Sequence, residues 1–232
     1  MLVTTIKRKF SVEKARRAQI ELSKRIIAED KLPTKIRYVG GVDVAYTNDL
    51  SVAAAVSLDF RTLQLEESQV VVRKTDFPYV PTLLSFREIP GTMMAIKGLH
   101  MEPDIILADG HGYAHPYRCG FASHLGLALK RPTIGVAKTL LIGTPEKHDR
   151  TQDTVFIRDR DQIIGAQVTM RPGEKPVYVS VGHMISLETA VRIVRHCAIH
   201  TRIPEPLALA HRIATAEKGK INMSTETQKT NK

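Results

Sequence analysis

A chain of 232 residues, 43% of them hydrophobic, is long enough to bury the core of a single domain, and it holds no apolar run near the roughly 18 residues that cross a bilayer. Two cysteines, Cys119 and Cys197, exclude a disulfide scaffold or a thiolate zinc site, and a reducing cytoplasm fits them. The net charge of +10 sits at the ends: residues 1–39 carry 11 Lys/Arg against four acids, residues 218–232 carry four Lys against Glu226, and the body between is neutral. Basic ends suit phosphate contacts, and solubilising termini would have the same composition.

The segment Met1–Lys9 is mixed and basic, so no apolar leader is expected there. Ser11 is a candidate cap for a helix reaching about Asp30, with Val12, Ala15, Leu22 and Ile26 on one face. Three strand-like runs follow, Ile36–Tyr46, Ser51–Leu58 and Leu63–Arg73, with turn residues between them, and predict an antiparallel meander. After the extended, proline-rich Asp76–Pro81, a short helix over Thr82–Glu88 is expected to break at Pro90-Gly91, with another running to Leu99. Alternating elements come next: strand Asp104–Ala108, helix Gly120–Leu129, strand Thr133–Ala137, strands Thr154–Ile157, Ile163–Met170 and Val177–Val181, and a helix capped by Ser186. A last helix starts near Pro206 and is expected to fade after Glu217, leaving a polar, basic, disordered tail at 218–232. Meander followed by α/β units predicts a mixed sheet with helices on its faces.

Chemistry concentrates at the ends of these elements. Asp43 interrupts an otherwise small and apolar strand, Gly40-Gly41-Val42-Asp43-Val44-Ala45. Asp109 ends the run Ile105-Ile106-Leu107-Ala108, and Glu88 lies just before Pro90. Half-buried carboxylates are costly unless paired or metal-bound, and three of them at one sheet edge would suit a hard divalent cation. Each alone has a plainer reading as a structural acceptor. Glycines on both sides of His111 leave room for a ligand backbone, and His111 and His115 flank the Asp109 loop. Lys138, at the end of Ile134-Gly135-Val136-Ala137, reads as a phosphate contact or a surface lysine. His211 reads as a half-buried helix histidine unless other residues join it. The strip Phe77-Pro78-Tyr79-Val80-Pro81 is stiff, either a wedge for a base stack or a connector with Tyr79 packed inward.

Taken in order, Gly41–Tyr46, Pro78–Pro81 with Phe86-Arg87-Glu88, Asp109–Gly112 with His115-Pro116, Gly135–Lys138, Gly182-His183 and the late His211 resemble endonuclease V over about residues 10–217. The resemblance implies a ribonuclease H-like fold, Mg²⁺ (or Mn²⁺) dependence, and hydrolysis of the second phosphodiester bond 3′ to a deaminated base in DNA, or in inosine-containing RNA. It implies Asp43 and Asp109 as metal ligands, with Glu88 as a further ligand, directly or through water. His211 becomes the late catalytic histidine and Lys138 a phosphate contact. Tyr79, Pro78 and Pro81 form the strand-separating wedge, and Leu84, Gly110, Gly120 and Phe121, with His115 close by, line a base pocket. Thr82 departs from the pattern, since many relatives carry glycine there, which makes the approach to the base tighter. A monomer and no membrane association are expected. Two other readings use the same residues: a ribonuclease H-like nuclease of another specificity, and a silent nucleic-acid-binding module.

Overall fold

The computed structural model describes residues 11–75, 77–146 and 153–230, with side chains as far as Ser224. Residues 1–10, where no apolar leader is expected, Asp76, residues 147–152 and the last two residues of the basic tail lie outside them. Ser11 caps α1 (Val12–Ser23) by accepting the Lys14 amide, so one of the orphan donors of the first turn is satisfied. The helix stops at Ser23 and not at Asp30, because the residues beyond find partners elsewhere. The Ile27 amide donates to His183 Nδ1 at 3.3 Å, and the Met184 amide donates to the Ile27 carbonyl at 2.7 Å. The Asp30 carboxylate accepts from the Ser186 amide and the Thr189 hydroxyl, both at 2.7 Å, which caps a later helix instead of continuing this one.

Strands β1 (Tyr38–Thr47), β2 (Leu50–Asp59) and β3 (Leu65–Lys74) form the expected antiparallel meander. Next to β1 lies β4 (Ile105–Asp109), parallel to it, and then β5 (Thr133–Ala137), parallel to β4. Beyond β5 the sheet turns antiparallel through β9 (Val177–His183), β8 (Gln162–Val168), β7 (Thr154–Asp159) and the two-residue β6 (Thr144–Pro145). The sequence pattern misses β6, which is too short to show a period. Among the described residues the order is β3-β2-β1-β4-β5-β9-β8-β7-β6 in one sheet.

Both faces of the sheet are covered, which explains why β2 and β4 read as continuous apolar runs. On one face Val42, Ala55, Ile106 and Ala108 pack against Ile89, Ala95 and Ile96 of α2 (Leu84–Lys97) and Phe121, Ala122 and Leu125 of α3 (Phe121–Leu129). On the other face Val39, Val56, Ile105, Leu107 and Val179 pack against Ala190 and Ile193 of α4 (Leu187–Cys197) and Leu207 and Ala210 of α5 (Glu205–Thr230). Cys119 and Cys197 are free and fully buried, small apolar fillers of this core. Among the described residues no helix is long and apolar enough to cross a membrane.

Two helices differ from expectation. α2 runs unbroken through Pro90. A proline inside a helix costs about 3 kcal/mol. Here the ring is exposed, while Ile89, Gly91, Thr92, Ala95 and Ile96 on the inner face are buried, and their packing outweighs the lost hydrogen bond. α5 does not fade after Glu217 but continues to Thr230, so the expected disordered tail is helix over its described part. The Thr47 hydroxyl meets Asn222, Lys220 pairs with Glu217 at 2.9 Å, and Ser224 Oγ donates to the Lys220 carbonyl. Contact with the end of β1 supplies what the polar composition lacks.

Candidate active site

The site forms where the parallel pair β1 and β4 ends. Their register aligns Val42 with Ala108, so the next residue of each strand, Asp43 and Asp109, brings its carboxylate to the same edge. α5 delivers the third group. It begins pressed on Gly41, where an added Cβ would come within 2.2 Å of the Pro206 carbonyl oxygen. Only a residue without a side chain lets the helix lie this close to β1. His211, one and a half turns along α5, then donates from Nδ1 to Asp43 Oδ2 at 2.7 Å, the acceptor being a carboxylate. Asp43, Asp109 and His211 each offer a ligand atom within 4.8 Å of the others, so the three could hold a metal ion.

Glu88 approaches from α2 and is not one of that trio. It is buried, and burial together with the charges of Asp43 and Asp109 pushes its carboxyl up to about 8. Burial also raises Asp109, against the hydrogen bond it accepts from Lys138 Nζ at 2.5 Å. Three carboxyl groups thus crowd one edge with a single lysine bonded to them. Such a set is under-neutralised and fits a hard divalent cation. Lys138 is therefore no free surface lysine, since its ammonium is tied to Asp109.

Beside the carboxylates opens a cavity of about 430 Å³. Tyr79, Pro81, Leu84, Gly110, His115, Gly120 and Phe121, all singled out by the sequence, line it, together with Glu88 and Asp109. Pro78 is exposed and does not line it. Tyr79 is 68% exposed at the rim, so it is not packed inward as a connector residue would be. Its strip is tied to α2: Phe77 stacks on Phe86, ring centroids 5.6 Å apart, and Arg87 donates to the Phe77 carbonyl. Of the glycines flanking His111, Gly110 faces the cavity, but the space beside Gly112 is filled by the Val181 carbonyl, 2.1 Å from where a Cβ would stand. The room expected there for a ligand is used for packing the sheet. Gly120 is pressed the same way against the His111 carbonyl, at 2.3 Å.

The histidines divide by their partners. His115 is buried and pushed down to about 4, so it is neutral near pH 7; its Nδ1 accepts from the Tyr117 amide and its ring bonds the Thr82 backbone. His183, part of the ordered motif, serves the chain after α1 through Ile27. Sequence reasoning did not single out Ser85, Thr139 and Leu141, which also line the cavity. The last two stand just past Lys138, and only their proximity to it in sequence could have marked them. Thr82 lines the cavity in the left-handed region, at φ 71°, a conformation that glycine adopts freely and a β-branched residue rarely does.

The family model for Endonuclease V matches residues 20–212. An Endonuclease V of Thermofilum pendens is 44% identical over 217 residues, 93% of each chain. The crystal structure of the Endonuclease V of Streptomyces avermitilis superposes with a TM-score of 0.85 at 37% identity, covering 91% of this chain and 95% of that one. A Ciona intestinalis Endonuclease V, solved with a 24mer DNA containing an inosine followed by a ribo-adenosine, superposes with a TM-score of 0.82 at 33% identity, covering 90% and 98%. With its ribonuclease H-like sheet and its carboxylate-lined edge, the chain belongs to the endonuclease V family of phosphodiester-hydrolysing nucleases.

Proposed function

We propose that this endonuclease recognises a deaminated base, the hypoxanthine of inosine or deoxyinosine, and hydrolyses the second phosphodiester bond on its 3′ side, with Mg²⁺ as the working ion and Mn²⁺ as a substitute. One observation carries the reading: Glu88 and Asp109 belong both to the carboxylate cluster and to the wall of the cavity. A base held in the cavity keeps its own backbone beside the carboxylates.

Tyr79, stiffened by Pro78 and Pro81, enters the base stack and occupies the place of the flipped base. Backbone groups of Leu84, Gly110, Gly120 and Phe121 pair with the base edge; hypoxanthine offers a carbonyl and an N–H where adenine offers the reverse. His115 contributes a neutral wall, because burial, with His111 beside it, holds its imidazole well below the ordinary value. Asp43 and Asp109 would hold the ion, with Glu88 joining directly or through water and His211 within reach of both aspartates. A bound divalent ion supplies an activated water and neutralises the pentavalent phosphate. His211 keeps one nitrogen on Asp43 and leaves the other to orient that water, and Lys138 swings from Asp109 to phosphate as a point charge. All of these groups come from one chain, which goes with a monomer, and the two reduced, buried thiols go with the cytoplasm. The inosine DNA bound by the Ciona relative supports the choice of lesion.

The test is cleavage of matched oligonucleotides, with and without one inosine, as DNA and as RNA, in Mg²⁺ and in EDTA. A Mg²⁺-dependent nick displaced to the 3′ side of inosine is expected, and the faster backbone names the substrate. Cutting indifferent to inosine would point to a nuclease of another specificity, and binding without cutting to a silent module.

A further inference from the structure

α1 is a polar helix that enters the protein interior through two residues, Ala15 and Gln19. Gln19 is fully buried, and a buried amide is costly unless hydrogen-bonded. Its Nε2 spends both hydrogens on backbone: it donates to the Thr82 carbonyl at 2.9 Å and to the Cys119 carbonyl at 2.7 Å. Its Oε1 has no partner. The reverse orientation would set that oxygen against two carbonyl oxygens, so the amide can sit only one way.

The two carbonyls matter because of where they are. Thr82 follows the Tyr79 strip and lines the cavity; Cys119 precedes Gly120 and Phe121, which line it too. One side chain therefore ties two separate segments of the cavity wall to a common point. Thr82 is also the wall residue held at φ 71°, and a strained conformation persists only where its surroundings over-determine it. Gln19 and His115 are the side chains that grip its backbone.

We propose that Gln19 is a positioning residue that fixes the distance between the two walls of the base-receiving cavity, holding Thr82 in its left-handed conformation. The inference rests on the base-recognition reading above. Gln19 touches no substrate; it acts through the Thr82 and Cys119 backbone, so its loss spoils the fit of the base and leaves the carboxylate chemistry intact.

The test is Gln19→Met, which keeps length and volume but donates nothing. KM for an inosine oligonucleotide should rise about tenfold to a hundredfold, and preference over the unmodified oligonucleotide should fall by a similar factor, while kcat at saturation changes by less than about threefold. Adding Thr82→Gly should restore part of the preference, because glycine holds φ near 71° unaided; a role in stability alone would not be rescued this way. Should Gln19→Met fail to fold, Gln19→Asn carries the same measurement, its amide being one methylene short of spanning both carbonyls. A wild-type enzyme that cuts inosine and plain oligonucleotides alike would remove the base reading and this clamp with it. A wild-type preference for inosine retained in full by both variants, or a loss that Thr82→Gly leaves unchanged, would overturn the clamp alone.

Discussion

The carboxyl groups at the sheet edge are unequal because burial acts on them unequally. Asp43, inside β1 just past its last pair with β4, and Asp109, at the end of β4, have a cationic or proton-donating partner each, His211 and Lys138. Replacing either by alanine should abolish Mg²⁺-dependent nicking while oligonucleotide binding persists; a variant that still nicks at near wild-type rate would remove the metal assignment. Glu88 has Tyr46 and Arg87 beside it, yet burial and the two aspartates push its carboxyl up to about 8, above its ordinary 4.5. A group whose folded value is raised stabilises the fold fully below its unfolded value, and that contribution is lost as pH rises through the folded one. In EDTA the melting temperature should therefore fall between pH 4.5 and 8, and Glu88→Gln should flatten the fall. Parallel curves for the two proteins would show that Glu88 is not its source. A divalent ion should reverse the trend, since it favours the ionised carboxylates.

At the scale of elements, placement of α5 is the decisive step, and Gly41 permits it. Gly41→Ala would drive a methyl into the Pro206 carbonyl, and since that obstacle is backbone, the helix must retreat. The melting temperature should drop and nicking should fall about a hundredfold or more as His211 leaves Asp43, a loss in the range of a positioned proton-transfer group. Nicking within a few-fold of wild type would mean the helix is not held by this contact. What the sequence made legible follows the same logic. The meander, the alternating strands and helices after it, and the acids that interrupt or end apolar runs show in the local pattern, because each depends on neighbours in sequence. The end of α1, the unbroken α2 and the long α5 do not, because Asp30, the buried face of α2 around Ile89 and Ile96, and Asn222 answer to partners far along the chain. The same holds within the site. Tyr79 and Gly110 lie in the ordered motifs and Gly120 follows from the resemblance those motifs carry, whereas a buried amide such as Gln19 on a polar helix carries no local mark of its two carbonyl partners.

For the whole molecule, charge and shape meet at α5. The lysines at 218 and 220 ride on a helix that runs along β1 away from the carboxylates, with Lys220 already paired to Glu217. A chain shortened after Glu217 should bind nucleic acid more weakly, with a shallower dependence on salt, if these lysines meet phosphate. An unchanged salt slope would assign the helical extension to stability alone.

The pairing of Asp43 with His211 spans 168 residues. At a synthesis rate of roughly 5–20 residues per second, a nascent chain exposes its first carboxylate for about 8 to 34 s before the histidine is made. The strands that carry the acids can meet early, but the helix that completes the trio comes last. On the role proposed for His211, a nascent product that still lacks α5 is unarmed, and the hydrolase becomes competent only after that helix is made.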